Sequence, residues 1–177
     1  MLLLNVAGGI AVLGSYAYGF ATHPQAGAAL WGGVPASLQP IYTVSMLAAA
    51  VGYFPFTAFL LLQVDPEAAR IAGRLGFGWF NVFYALILIP SALWMPLTFI
   101  VVEQWSATLW LAIRIVLGLV ALGSLALLAG LISLEPRPAG VFHKLAIAGA
   151  VAFCVQTALL DALVWPAYFP RPVIGNR

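Results

Sequence analysis

Charge is what this sequence has least of. Only 7% of its 177 residues are Asp, Glu, Lys or Arg, against about 25% in an ordinary soluble domain. Five acidic and seven basic side chains cannot hydrate the surface of a globule this size. They can hydrate the loops of a helical bundle whose flanks meet lipid. The formal net charge of +2 is too small and too scattered to recruit nucleic acid. A single cysteine, Cys154, excludes an intrachain disulfide and a cysteine-based metal cluster. Two histidines, His23 and His143, lie near the ends of apolar stretches and leave little for zinc or haem. They also leave no workable Ser/His/Asp set. No apolar stretch holds two carboxylates, and neither a Walker-type glycine loop nor a dinucleotide fingerprint is present. The sequence therefore favours a non-enzyme, with a lipid-modifying activity at Asp161 as the alternative, and names no cofactor.

What fills the chain is apolar: 64% hydrophobic residues and a mean hydropathy of +1.06. A bilayer core about 30 Å thick needs about 20 apolar residues of helix. Five stretches qualify, at 1–21, 41–63, 77–102, 107–131 and 141–165. Backbone groups in lipid must be satisfied within their own segment, so helices are expected rather than strands. The fold class predicted is all-α, a polytopic membrane bundle of about five transmembrane helices, with 1–177 forming one integral-membrane domain. No Lys or Arg precedes the first stretch, as a secretory signal would require, so it is read as a helix of the mature protein.

The connections carry the polar residues. Asp65-Pro66-Glu67 opens a segment holding Arg70 and Arg74; Asp as N-cap and Pro at the first helical position predict a brief interfacial helix. Glu103-Gln104-Trp105-Ser106 reads as a tight hairpin, and Glu135-Pro136-Arg137-Pro138 stops the fourth span. The first loop, 22–40, is different. It lacks any Lys, Arg, Asp or Glu and contains Trp31, three prolines and Gly32-Gly33. A loop this long is usually functional or disordered; an uncharged one with a Trp either lies in the membrane interface or folds over the bundle. Lys and Arg counts set the orientation. Arg70, Arg74, Arg137 and Lys144 fall on the side of the N-terminus, against Arg171 and Arg177 on the other. The N-terminus is thus expected to be cytoplasmic, in a bacterial inner (plasma) membrane, and the opposite side is called outer.

Arg114 and Asp161 are the charged residues set well inside spans, away from their inner ends. Such groups are costly in lipid, so they usually face the bundle interior, pair and mark function. Both fall in the outer half, ~8 and ~12 Å from the midplane at the helical rise. A pair between them is feasible; so is an Arg that snorkels outward with Asp161 at the interface. Trp110, Arg114 and Gly118 share one helical stripe, as do Thr157, Asp161 and Trp165. Pro90, Ser91, Trp94 and Thr98 face the same half, and Tyr16, Tyr18, Tyr42 and Ser45 lie at its level. An aromatic belt explains part of this enrichment; an outward cavity explains it as well. The candidate ligand-binding residues are Trp31, Tyr42, Trp94, Trp110, Arg114, Thr157 and Asp161.

Other intramembrane features read as packing. Pro55, Pro90 and Pro96 each remove a backbone hydrogen bond and kink or line a helix. Asn5, Asn81 and Gln156 suit hydrogen bonds between helices. Ala11, Ser15 and Gly19, and Ala48 with Gly52, form ridges of small residues that let helices approach. Cys154 suits a small core position.

The layout resembles the TspO/translocator family of five-helix membrane proteins. The likeness rests on Leu30-Trp31-Gly32-Gly33-Val34-Pro35 leading to Ile41-Tyr42-Thr43, and on the segments 81–94 and 160–165. The Pro-Pro pair of that family's loop is absent, and Asp161-Ala162-Leu163-Val164-Trp165 stands where its fifth helix ends in Pro-Tyr. The resemblance implies that porphyrins, sterols or similar flat hydrophobes bind beneath the first loop. Three functions follow as expectations. The first is binding of a lipophilic small molecule in an outward cavity. The second is an oligomeric transporter or channel using an Arg114–Asp161 pair. The third is an accessory subunit of a larger membrane complex. The partners expected are the lipid bilayer, a lipophile, and a second copy or larger assembly.

Overall fold

Each apolar stretch becomes one long helix in the computed structural model, which describes residues 1–23, 26–137 and 140–169. In chain order the helices are α1 (Leu2–Thr22), the short α2 (Ala26–Trp31), α3 (Gln39–Leu62), α4 (Trp79–Glu103) and α5 (Ala107–Ile132). The last helical run covers Val141–Tyr168. It consists of α6 (Val141–Cys154), a π-helical segment (Val155–Val164) and α7 (Trp165–Tyr168). Five of these runs, 21 to 28 residues in length, are long and apolar enough to cross a bilayer. Arg171 and Arg177, which entered the charge comparison, lie outside the described residues, as does Pro138.

The long helices pack side by side in the order α1, α4, α5, α6, α3. α4 lies between α1 and α5, α5 meets α6 and the π-helical segment, and α3 packs along α6. Small residues set the closest approaches. A Cβ built on Gly52 of α3 would lie 2.7 Å from the Gly149 carbonyl oxygen of α6. Gly8 meets Leu88, and Gly19 meets Met95 and Phe99, so α1 packs closely on α4 at these two glycines, whereas Ala11 of the expected small-residue ridge is exposed. Pro55, Pro90 and Pro96 lie inside unbroken helices.

One end of the bundle carries a three-stranded antiparallel sheet of order β2-β1-β3. β1 (Arg70–Ile71) pairs with β2 (Leu75–Gly76) and with β3 (Leu134–Glu135). This corrects the expected interfacial helix. The Asp65 carboxylate does accept the Glu67 N–H at 3.0 Å, but only a turn follows. Gly73, Gly76 and Gly78 disfavour helix, Ile71 is buried, and its backbone finds a ladder on both sides. Ala72 and Gly73 close the β1–β2 turn with φ of +49° and +68°.

The deepest core lies toward this sheet end. Phe56, Leu60, Phe80, Tyr84, Leu127 and Leu131 are essentially sealed. Polar groups there are paired. Tyr84 and Thr57 share a 2.8 Å hydrogen bond, Tyr53 donates to Asn5 Oδ1, and His143 Nε2 donates to Leu131 O at 2.8 Å. Asn5 thus links helices as its sequence position suggested.

Candidate functional site

The opposite end, beneath the first loop, is organised by the π-helical segment. Its backbone bonds run i to i+5, so residues five apart stack. Gln156 and Asp161 are five apart, and Gln156 Nε2 donates to Asp161 Oδ1 at 2.7 Å. Such windings are rare and frequent at functional sites. α3 runs antiparallel beside it, and the Tyr42 hydroxyl donates to Leu160 O at 3.1 Å. From that bond Ser45 lies about one turn down α3, and Gln156 about one turn down the facing segment. On the other flank, Thr157 Oγ1 lies 2.8 Å from Ser124 Oγ on α5 and 2.9 Å from its own Phe153 carbonyl.

The first loop folds over the bundle. Trp165 Nε1 donates to Leu30 O at 2.8 Å, Trp31 meets Tyr42 edge-on at 6.0 Å, and Val34 is buried. Beneath it the aromatic rings form a chain. Tyr16 lies 6.1 Å from Trp94, Trp94 lies 5.7 Å from Trp165, and Trp165 lies 6.1 Å from Trp110. Trp110 also stacks on Phe169 at 5.0 Å. At the rim, His23 Nε2 lies 3.2 Å from Glu103 Oε1, the one ion-pair geometry among the described residues, formed when His23 is protonated.

Arg114 and Asp161 do not meet. No ion pair joins them, and Arg114 is exposed on the outside of α5. The reason is azimuth rather than depth. The buried stripe of α5 runs through Trp110, Ile113, Leu117, Val120 and Ser124. Arg114 follows Ile113 by one residue, about 100° around the helix, and shares the exposed face with Leu111, Ile115 and Gly118. The Trp110–Arg114–Gly118 stripe is therefore split between inside and outside. Asp161 is partly buried and turns to Gln156. A gate built on the Arg114–Asp161 pair is not formed.

Trp31, Tyr42, Trp94 and Trp110 do gather in one half, whereas Thr157 bridges to α5. Trp110 belongs to a packed ring cluster rather than to a cavity wall. The open space at this level is a groove of about 530 Å³ between Pro40, Val44, Ser45 and Ala48 on α3 and Ala152 and Val155 opposite. Three buried polar atoms have no partner among the described residues: Ser45 Oγ, Trp94 Nε1 and Gln156 Oε1. All three belong to this half. Sequence reading had given Gln156 the role of interhelical glue; its Nε2 instead serves Asp161 within one helix, and only a signal for π winding would have revealed that. Among the described residues no three His, Cys, Asp or Glu side chains gather as metal ligands.

Tyr42→Phe removes the hydroxyl that ties α3 to the π-helical segment. It is expected to lower stability by about 1 kcal/mol, read as a small fall in the thermal midpoint of the purified protein.

No family model, curated protein or solved structure matches this chain.

Proposed function

We propose that this chain is an integral membrane protein that binds a lipophilic small molecule in the half of its bundle beneath the first loop. The observation that carries this reading is the contrast in polar pairing between the two ends. Toward the sheet, Tyr53, Tyr84 and His143 are all paired. Beneath the first loop, Ser45 Oγ, Trp94 Nε1 and Gln156 Oε1 are buried without partners among the described residues. A buried polar atom left unpaired costs about 1–3 kcal/mol, and a bound molecule with matching groups removes that penalty. Gln156 Oε1 accepts, Trp94 Nε1 donates, and Ser45 does either. The groove beside Ser45 is almost wholly apolar and opens sideways between α3 and α6. A molecule dissolved in the bilayer reaches it without crossing water.

The Lys and Arg distribution supports a cytoplasmic sheet end in a bacterial inner membrane. Arg70, Arg74, Arg137 and Lys144 are all exposed there. The resemblance to TspO/translocator proteins agrees with a ligand beneath the first loop.

Thermal unfolding against a panel of sterols, porphyrins and lipophilic ions tests the proposal. At a concentration 100-fold above Kd, a true ligand stabilises the fold by about 2.7 kcal/mol. Ala48→Trp, which fills the groove, is expected to abolish that shift while leaving the unliganded midpoint close to the parent's. A panel in which no member shifts the midpoint overturns the reading.

A further inference from the structure

The exposed face of α5 carries a positive charge that no acidic side chain of the protein answers. Leu111, Arg114, Ile115, Gly118, Leu122 and Leu125 are all exposed, and at the helical repeat they fall within an arc of about 100°. The four large apolar members are each at least half exposed. A Cβ on Gly118 would meet nothing within 4 Å, so this glycine serves no contact within the bundle and leaves a notch one turn deeper than Arg114. All five acidic side chains of the sequence are among the described residues, and none pairs with Arg114. Asp65, Glu67 and Glu135 lie at the sheet end, Glu103 ends α4 beside His23, and Asp161 turns to Gln156.

The direction of the helix decides where the guanidinium goes. α5 starts at the first-loop end, just past Glu103, and Arg114 stands about two turns in from Ala107. A guanidinium kept at that depth in hydrocarbon is costly. Its Cα–Cβ bond leans toward the N-terminus of the helix, which here is the nearer end, so the side chain climbs over Leu111 toward the headgroups. A planar guanidinium matches the two free oxygens of a phosphodiester through two parallel hydrogen bonds. Beneath it, the apolar arc and the Gly118 notch suit acyl chains. A second copy fits this face less well, because a two-fold contact centred on it brings two Arg114 side chains together without a counter-ion.

We propose that the exposed face of α5 binds one anionic phospholipid, with Arg114 on its phosphate and Leu111, Ile115, Gly118 and Leu122 along its acyl chains. A zwitterionic lipid binds there less well, because its own ammonium group already screens the phosphate. The proposal rests on the membrane reading above and is independent of any ligand beneath the first loop.

Photolabelling locates such a lipid. The protein is placed in phosphatidylcholine nanodiscs with a trace of phosphatidylglycerol, or of phosphatidylcholine, that carries a diazirine on one acyl chain. Labelled peptides are then identified by mass spectrometry. Phosphatidylglycerol is expected to label the 111–125 segment about fivefold more than phosphatidylcholine does, the preference that one cation gives for an anionic headgroup. α1 holds no Lys, Arg, Asp or Glu, so the two lipids should label it equally. Arg114→Gln removes the preference on α5 and leaves the thermal midpoint close to the parent's. Equal labelling of α5 by the two lipids in the parent overturns the proposal, as does a preference that survives in Arg114→Gln. Loss of the label on adding inorganic phosphate makes a free anion the occupant, and an α5 face shielded from both lipids in a dimer makes a second copy the occupant; either result also overturns it. If Arg114→Gln does not fold, the contrast between α5 and α1 in the parent decides alone. If the protein does not enter nanodiscs at all, the membrane reading falls together with the proposal.

Discussion

Gly52→Leu is expected to prevent assembly of the bundle or to destabilise it by more than about 3 kcal/mol. Overpacking a core ordinarily costs about 1–3 kcal/mol, because neighbouring side chains move aside. Here nothing can move aside. The nearest atoms to a new Cβ at Gly52 are the Gly149 carbonyl oxygen at 2.7 Å and its Cα at 2.9 Å. Both are backbone, so α3 and α6 must separate along their whole shared length. That separation would also open the groove and pull Tyr42 from Leu160. Gly14→Leu is the matched control, since a Cβ at Gly14 meets nothing within 4 Å. It should express and melt like the parent. Size-exclusion profiles and thermal midpoints compare the pair, and parent-like behaviour of Gly52→Leu would show that the α3–α6 contact is not a close one.

Trp165→Ala is expected to lower stability by about 3–5 kcal/mol, the usual range for emptying a buried aromatic position. Trp165 is 5% exposed and touches Trp94, Trp110 and Phe169. Its indole N–H also holds Leu30 O, which anchors the first loop. The substitution therefore removes ring contacts and the loop anchor together. Trp165→Phe separates them. It keeps an aromatic ring and loses the hydrogen bond, so its cost should be nearer 1 kcal/mol, with the loop becoming more sensitive to protease. Equal effects of Ala and Phe would mean that the ring cluster contributes little.

The five long apolar helices were legible because their signal is additive. Twenty or so apolar residues in a row outweigh any local ambiguity, and the predicted stretch 107–131 differs from α5 (Ala107–Ile132) by one residue. The end of its helix at which a residue falls was legible for the same reason, since it is counted along the chain. Azimuth was not. In α5 both the buried and the exposed faces are apolar, with Ile113 inside and Ile115 outside, so periodicity does not tell which way Arg114 points. The π winding was also hidden. Val155 to Val164 contains no residue type that demands it, and the i to i+5 alignment of Gln156 with Asp161 follows from the winding alone. The sheet escaped notice because its strands are two residues each and its pairing joins distant connections. The sequence offered Asp65-Pro66, a local helix signal, and the long-range partner Leu134-Glu135 overrode it.

That small sheet bears on the order in which the protein is made. β1 is synthesised after α3, but its partner β3 emerges only once α4 and α5 have followed. Until then Arg70 and Ile71 lack one of their two ladders. The sheet can thus be completed only when four of the five long helices exist, so it acts as a latch that closes late in biogenesis. A chain arrested before Leu134 would carry its helices without the tie between the second and fourth connections, and such a chain is the form that quality-control proteases should find easiest to cut.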